Sequence, residues 1–538
     1  MRLDNLRGDI FGGLTAAVVA LPLALAFGVA SGLGPIAGLN SAIAVGFFAA
    51  VFGGTPAQVS GPTGPMTVVM AAIVALYADR LETAFAIVFL GGALQIAFGM
   101  LRVGRYISYT PYSVISGFMS GIGLIIIIIQ VLPFIGLAPA AGGPLGALEA
   151  LPGALSRVNL DAALIALAAL GIMIFWPKKL HAFMPPPLAA LITGIALSLT
   201  LLDGAPIIGD VPTGLPRLRL PVFPMSELAF IIQPAFVLAL LGTIDSLLTS
   251  LVADSVTRTH HNSNRELIGQ GIGNMAAGLI GALPGAGATM RTVVNVRAGG
   301  RTPISGAFHA LILLSLVLGL GPLTERIPHA VLAGILMKVG WDIIDWGYLK
   351  RIRRAPREKV VVMFITLGLT VFVDLITAVA VGLILASFVT ARWMETEELK
   401  GVTALALDDD ISLTEQERIA LEKQGGEILV VSLRGRFSYA SAREITKRIA
   451  IMTAGYKAII LDMSHAAHVD TSAAMAIEDL VQSIQAERIH CIIAGLSGAA
   501  EATLDSLGVL EALDSKDIVA TKIAAIQRAA AGGNRKTL

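Results

Sequence analysis

The feature that most constrains this chain is a succession of apolar segments suited to a lipid bilayer. Fourteen of them lie between residues 10 and 390, and 55% of the 538 residues are hydrophobic, which exceeds the usage of soluble domains. Because about 20 apolar residues in a helix cross the hydrocarbon core, we predict an α-helical protein with many membrane spans. The predicted spans are residues 10–31, 38–52, a half-span after Pro62, 83–100, 112–135, 162–176, 186–202, 230–252, 266–283, a half-span after Gly287, 304–320, 329–344, 360–373 and 375–390.

Two of these spans are short and start at breaks rich in glycine and proline. The first break is GGTPAQVSGPTGPMT at residues 53–67, and the second is GALPGAGATMRTVVNVR at residues 281–297. Unpaired backbone is costly in hydrocarbon, so an interrupted helix is expected only where it lines a site or lies buried in protein. The new helix N-terminus offers free N–H groups and the positive end of the helix dipole to an anion.

The two breaks occupy corresponding places in the two halves of the chain. Each precedes the third of seven predicted spans, and an odd number of spans forces the two halves into opposite topology. Two interrupted segments related in this way indicate a transporter built from inverted repeats, with its substrate site between the breaks. The alternative is that both stretches are ordinary loops between spans.

Asp245 is the only formal charge in residues 236–252. An ionisable group inside a span is costly and indicates a functional site. Thr249 follows one helical turn later on the same face, and the second break frees backbone carbonyls between residues 285 and 288. Oxygen ligands of this kind suit a hard cation such as sodium, although the same carboxylate could carry a proton instead. A third alternative is a carboxylate that neighbouring hydroxyls satisfy and that plays no part in transport.

Thr63 and Thr289 lie near the starts of the two short helices predicted after the breaks. Their hydroxyls and the neighbouring N–H groups are predicted to hydrogen-bond an anion, and their matching placement in the two halves supports this interpretation. Arg291 follows two residues into the second short helix, where it could either neutralise the anion or pair with a carboxylate. The sequence has no nucleophile–base pair and no metal-ligand cluster, so we expect neither an enzyme nor a bound cofactor.

Charge divides the chain into two parts. Residues 1–400 contain 45 charged side chains, whereas the much shorter segment 401–538 contains 32. We predict a transmembrane domain over residues 1–395, a linker over 396–424 and a soluble α/β domain over 425–538. In the last segment, strand-like runs at 427–433, 458–463 and 490–496 alternate with helix-like stretches at 441–452, 472–485, 499–507 and 518–530.

Lysine and arginine predict the orientation in the membrane. If the N-terminus is cytoplasmic, the cytoplasmic loops hold most of the basic residues, including six between residues 350 and 359, as the positive-inside rule requires. Both termini and the soluble domain are then cytoplasmic, and the expected location is the inner (plasma) membrane of a bacterium. A nucleic-acid partner is not expected, because the basic cluster lies in a ten-residue loop between spans.

Several motifs resemble those of the SulP (sulfate permease) family of anion transporters. They are VADSVTRTHHNSNRELIGQGIGN at residues 252–274, GGRTP at 299–303 and PTGPM at 62–66. The C-terminal domain is similar to a STAS domain (sulfate transporter and anti-sigma factor antagonist). Within the family the chain resembles the BicA-type sodium-dependent bicarbonate transporters, through LRGDIFGG at 6–13, PYSVISGFMSGIG at 111–123 and VGWDIIDWG at 339–347.

The resemblance implies a fold of seven-plus-seven inverted repeats. A core domain would carry the substrate between spans 3 and 10 and move as an elevator against a gate domain. The residues implied for sodium by motif match are Asp245, Thr249, Gly287 and Thr289, and those implied for the anion are Thr63, Ala288 and Thr289. Members of the family commonly form homodimers, which is therefore expected here.

Arg291 departs from the BicA-type pattern, which has a glycine at this position, whereas many other members of the family have an arginine. The coupling ion and the anion therefore stay open. Sodium-coupled bicarbonate uptake is the first expectation, and proton-coupled transport of sulfate or a dicarboxylate is the second. A different class of function, an anion channel or a membrane scaffold that displays the STAS domain, would need neither Asp245 nor two broken spans.

Overall fold

The structure, a computed structural model, describes residues 5–104, 111–140, 142–180, 184–209, 216, 218–219, 221–223, 228–319, 325–373, 375–405, 413–453 and 455–532. The chain divides into two compact units, Met1–Ile384 and Leu385–Leu538. The first is helical, and the second is an α/β domain.

Helices α1 to α16 make up the described part of the first unit, with the last one continuing into the second unit. Their bounds are α1 Leu6–Ala30, α2 Pro35–Phe52, α3 Gly64–Leu76, α4 Leu81–Met100, α5 Tyr112–Phe134, α6 Gly143–Ala154, α7 Leu160–Phe175, α8 Pro186–Thr200, α9 Leu228–Thr257, α10 Ser263–Leu279, α11 Thr289–Arg297, α12 Pro303–Gly319, α13 His329–Ile343, α14 Trp346–Leu349, α15 Arg357–Phe372 and α16 Leu375–Leu399. Two short strands precede α3 and α11, namely β1 Ser60–Gly61 and β2 Ala286–Gly287.

Each of the fourteen predicted spans contains one of these helices, but the helices differ in length. Six in the described part of the chain are long and apolar enough to cross a membrane: Leu6–Ala30, Pro35–Phe52, Leu81–Met100, Tyr112–Phe134, Leu228–Thr257 and Thr377–Leu399. A seventh span would come from α6 and α7 together, which meet at a bend of 119°. The unit is therefore a multi-pass helical membrane domain, and the count of fourteen crossings stays a prediction.

Local sequence signals explain where several helices begin. The Asn262 side chain accepts a hydrogen bond of 3.0 Å from the Arg265 N–H at the start of α10, and so satisfies one of the free amides of a helix N-terminus. Pro65 lies in the first turn of α3, where proline removes no intrahelical hydrogen bond. The first break therefore ends where the sequence suggests.

The helices of the first unit pack in two groups. In one group, α10 lies against α2 and α4, α9 lies against α4 and α11, and α12 lies against α2. In the other group, α5 lies against α13 and α15, while α7 lies against α8 and α13. Helix α1 contacts members of both groups. The two broken-span helices belong mainly to the first group, so that group contains both breaks.

The second unit contains a five-stranded sheet with helices on both faces. Its elements are β3 Val402–Leu405, α17 Glu415–Glu422, β4 Ile428–Phe437, α18 Ala442–Met452, β5 Ala458–Val469, α19 Thr471–Ala486, β6 His490–Ala494, α20 Gly498–Ser506, β7 Ile518–Val519 and α21 Lys522–Gly532. The strand order is β3-β4-β5-β6-β7. Strand β3 is antiparallel to β4, and the other neighbours are parallel.

Strand β4 shows why the sheet has an apolar core on each face. Leu429, Val431 and Leu433 belong to one buried cluster, whereas Val430 belongs to the cluster that contains Ile526 of α21. Successive side chains of a strand point to opposite faces, and a strand covered on both sides is apolar throughout. This explains why the segment 427–433, from which the strand was predicted, is mainly apolar.

Two parts of the second unit differ from the sequence predictions. Residues 396–424, predicted as a linker, contain the end of α16, strand β3 and helix α17, and β3 pairs with β4. Residues 518–530, predicted as helix throughout, begin with strand β7, and the helix starts at Lys522. Both strands are short edge elements that form through partners distant in sequence, so local periodicity does not reveal them.

Candidate functional site

The two breaks meet as a pair of short antiparallel strands. Ser60 of β1 lies opposite Gly287 of β2, and Gly61 lies opposite Ala286. The Ala288 N–H extends the pairing by donating a hydrogen bond of 2.9 Å to the Val59 carbonyl. Opposite chain directions at equivalent breaks are what inverted halves would produce. The structure thus brings together the two stretches that the sequence marked separately.

Glycine allows the two backbones to approach closely. A Cβ atom on Gly285 would lie 2.7 Å from the carbonyl carbon and oxygen of Gly61, and one on Gly287 would lie 2.3 Å from Gln58 Nε2. Gly61 also has φ of +150°, a conformation that side chains disfavour. A larger residue at position 285 would therefore push the breaks apart, and one at position 287 would displace the Gln58 side chain.

Helices α3 and α11 begin beside this strand pair with uncapped N-termini. Thr63 precedes α3 and Ala288 precedes α11, and neither residue makes a side-chain capping hydrogen bond. The first N–H groups of a helix have no intrahelical partner, so the amides of Thr289 and Met290 are available to a ligand. The Thr63 hydroxyl is buried without a hydrogen-bond partner among the described residues. These groups together suit a small anion.

The predicted cation ligands lie on α9 and on the second break. Thr249 Oγ1 donates a hydrogen bond of 3.0 Å to the Gly287 carbonyl and lies 2.8 Å from Thr289 Oγ1. Asp245 is one turn earlier on α9. Its carboxylate lies near the Thr63 hydroxyl without a well-formed hydrogen bond between them, and the Arg291 guanidinium lies within electrostatic range. Asp245 Oδ2 is buried and has no hydrogen-bond partner in the described part of the chain.

These oxygen ligands fit a hard cation, such as sodium, better than a soft transition metal. All of them are oxygen atoms of a carboxylate, hydroxyls and a carbonyl, which hard cations prefer. In the described residues, no group of three or more histidine, cysteine, aspartate or glutamate side chains could hold a transition metal. The unpartnered oxygen of Asp245 would supply the negative charge that a buried cation needs.

The side chain of Arg291, a residue of the second break, contacts the first break and does not form an ion pair. Its side chain is 2% exposed, and Nη2 donates a hydrogen bond of 2.5 Å to the Pro62 carbonyl. Nη1 has no partner among the described residues, and no described carboxylate forms an ion pair with this guanidinium. Arg291 therefore leaves one buried donor and one positive charge beside the uncapped helix ends.

Sequence reasoning missed Glu266, which is 1% exposed. Its Oε2 accepts hydrogen bonds of 2.9 Å from the N–H groups of Gly54 and Thr55. Its Oε1 accepts hydrogen bonds of 2.8 Å from Nε2 of both Gln58 and Gln270. The same rule that singled out Asp245, an acid inside a span, could have found it. Glu266 ties the first break to α10, because its four donors come mostly from that break.

Asn274 attaches the second break to α10, as Glu266 attaches the first. Its Oδ1 accepts a hydrogen bond of 2.7 Å from the Gly285 N–H, and its Nδ2 donates one of 3.0 Å to the Gly285 carbonyl. Nδ2 also donates to Gln95 Oε1 at 2.9 Å. Buried amides with several partners hold backbone in one arrangement. Both breaks are thus attached to α10, and the site is built on a rigid helix.

Comparisons with known proteins indicate the family of this chain. Residues 6–366 match the model of the sulfate permease family, and residues 418–522 match the STAS domain. The bicarbonate transporter BicA of Synechocystis sp. is 46% identical over 514 residues, which cover 94% of this chain and 91% of that protein.

Two solved structures are also similar. The transmembrane domain of a cyanobacterial bicarbonate transporter BicA is 53% identical with a TM-score of 0.67, and the match covers 70% of this chain and 98% of that one. The structure of SLC26A9 is 19% identical with a TM-score of 0.82, covers 99% of this chain and 92% of that one, and shows the shared fold alone. From the match of the family model and the identity to BicA, we conclude that this chain belongs to the sulfate permease family of membrane transporters.

Proposed function

We propose that this protein is a secondary active transporter that takes up bicarbonate together with sodium. The observation that carries the proposal is the pairing of the two breaks, which sets uncapped helix ends beside an unpartnered carboxylate oxygen. A likeness to two BicA proteins over nearly the whole chain supports bicarbonate as the anion.

Sodium would bind between α9 and the second break. Asp245, Thr249, the Gly287 carbonyl and Thr289 would supply its oxygen ligands, and the carboxylate would neutralise its charge. The anion would bind at the N-termini of α3 and α11, with Thr63, Ala288 and Thr289 around it. Thr63 lies beside Asp245 and Thr289 contacts Thr249, so each ion would improve binding of the other. That mutual dependence is the physical basis of coupled transport.

The packing of the helices supports an elevator movement. The group formed around α10 contains both breaks and all of the proposed ligands, whereas the group around α5 contains none of them. The first group would move across the membrane as a rigid body with its ions, and the second would stay in place. We further propose a homodimer in a bacterial plasma membrane, with both termini cytoplasmic and no enzymatic activity.

Arg291 favours a second candidate, the transport of a divalent anion such as sulfate. Its buried guanidinium has an unpartnered Nη1 beside the helix ends. The charge of Arg291 adds to the positive dipole ends of the two helices, and this suits the second negative charge of such a substrate. A proton on Asp245 would then replace sodium as the coupling ion.

The deciding experiment measures uptake of labelled bicarbonate into proteoliposomes with and without a sodium gradient. Sodium-driven, saturable uptake is expected, with unlabelled sulfate and fumarate competing weakly. Equal uptake with and without sodium would refute sodium coupling. Uptake that never saturates would indicate a channel, and strong competition by sulfate would favour the second candidate.

A further inference from the structure

The segment from the end of α14 into the first turn of α15 forms a strongly basic surface. Its cationic residues are Lys350, Arg351, Arg353, Arg354, Arg357 and Lys359, and Glu358 is the only acid between residues 350 and 359, so the net charge of this stretch is +5. All six are exposed. None forms an ion pair with a carboxylate in the described part of the chain. We call these six residues the basic cluster.

The acidic residues near the basic cluster form ion pairs or hydrogen bonds with other residues. Asp342 pairs with Lys338 one turn earlier on α13. Asp345 Oδ2 accepts a hydrogen bond of 2.8 Å from the Tyr112 hydroxyl, and its Oδ1 accepts one of 3.0 Å from the Tyr348 N–H at the start of α14. The charge of the basic cluster is therefore not balanced by its own surroundings.

Three aromatic side chains shortly precede the basic cluster along the chain, and Tyr112 of α5 contacts one of them. The rings of Trp341 and Trp346 are 4.3 Å apart, and those of Tyr112 and Tyr348 are 5.6 Å apart. Trp341 is 50% exposed and Tyr112 is 62% exposed. Exposed tryptophan and tyrosine are typical of the boundary between hydrocarbon and water. The basic cluster follows them in a segment that joins two helices of the membrane domain, which places it at the level of lipid headgroups.

We propose that the basic cluster binds the headgroups of anionic phospholipids. An unbalanced positive surface beside a set of interfacial aromatic rings is complementary to a negatively charged bilayer surface, and each basic residue contributes roughly fivefold to such binding. Helices α13 and α15 both pack against α5. Bound headgroups would therefore hold this group of helices at the membrane surface. The inference does not depend on which anion is transported.

Lysine labelling of the full chain in lipid nanodiscs tests the proposal without a mutation. The nanodiscs contain phosphatidylcholine alone or a mixture with phosphatidylglycerol, and mass spectrometry follows the reaction of Lys350 and Lys359 with an amine reagent. We expect labelling at both lysines to be several-fold slower when phosphatidylglycerol is present. Lys447 and Lys457, each 66% exposed in the second unit, serve as internal controls. Equal labelling in both lipids overturns the proposal and is the result expected if a protein surface covers the basic cluster.

A charge-neutralised variant gives an independent measure. The triple variant Arg353→Gln, Arg354→Gln and Arg357→Gln is compared with Arg436→Gln, Arg443→Gln and Lys447→Gln, which removes the same charge from the second unit. Losing three basic residues is expected to weaken phosphatidylglycerol binding by about 100-fold, so the first variant should retain at least about tenfold less of this lipid through purification, and the second should match the wild type. Wild-type retention by the first variant contradicts the proposal.

Discussion

Asp245 and Glu266 lie on neighbouring helices of the membrane domain but have opposite surroundings. Glu266 accepts four hydrogen bonds of 2.8 to 2.9 Å, so the protein replaces its hydration completely. Asp245 Oδ2 is buried with no partner in the described residues, which costs free energy unless a ligand binds. A carboxylate whose oxygens all accept hydrogen bonds stabilises the structure of the site. A carboxylate with an oxygen that accepts none is available to bind a cation. The comparison predicts different consequences for the two acids.

Replacing Asp245 by asparagine should have the largest effect on transport. The variant keeps the shape of the side chain but removes the charge, so sodium affinity should fall by about tenfold to 100-fold and sodium-driven uptake should be lost. Without sodium, thermal stability should change little, because the substitution removes both a poorly satisfied charge and its favourable interaction with the buried Arg291. Proteoliposome uptake and unfolding with and without sodium measure the two effects. If uptake by this variant depended on sodium as it does in the wild type, Asp245 would not be a sodium ligand and the proposed difference between the two acids would be wrong.

Replacing Glu266 by glutamine should mainly reduce stability. The amide nitrogen of glutamine would face donors that now contact a carboxylate oxygen, which costs about 2–4 kcal/mol. The extra stability that sodium provides should persist in the folded fraction, since Asp245 is intact. Thermal unfolding in detergent, measured against sodium concentration, distinguishes the two acids. A Glu266→Gln protein with normal stability but no response to sodium would contradict the assignment.

Replacing Thr249 by valine should weaken sodium binding moderately. The change keeps the size of the side chain and removes one neutral oxygen, for a loss of about fivefold in affinity. Thr243→Val is the matched control, because Thr243 lies on the same helix and donates a 2.6 Å hydrogen bond only to the Ala239 carbonyl. Sodium dependence of uptake measures both variants, and equal effects would mean that the loss arises from the helix itself.

Replacing Gln270 by leucine should have the smallest effect on sodium-driven transport. It removes one of the four donors to Glu266 and a 2.6 Å hydrogen bond to Ser60 Oγ, which should lower the free energy of unfolding by about 1–2 kcal/mol. Sodium affinity should stay unchanged. Thermal unfolding and a sodium titration of uptake check the two statements, and a sodium affinity that falls as far as in Thr249→Val would show that the network around Glu266 belongs to the ion site.

Much of the fold follows from local patterns. Apolar segments predicted the helices because burial in a bilayer requires them, and glycine and proline predicted the breaks because they cannot continue a helix. Asp245 stood out because its surroundings along the chain are apolar. Glu266 satisfied the same criterion less clearly, since it lies near the start of a span beside polar residues. Strand β3 escaped prediction because its partner β4 lies in a later part of the chain.

The sequence by itself determined that the chain enters a membrane, where its helices are interrupted and which acid is exceptional, because these are properties of consecutive residues. Only the tertiary structure decided the register of Ser60 against Gly287, the contact of Thr249 with the second break and the four donors around Glu266. Gly54 and Glu266 are 212 positions apart, and a local sequence pattern does not predict which distant N–H group will donate a hydrogen bond to a carboxylate. The difference between a satisfied acid and an available one arises only when the two halves of the chain pack together.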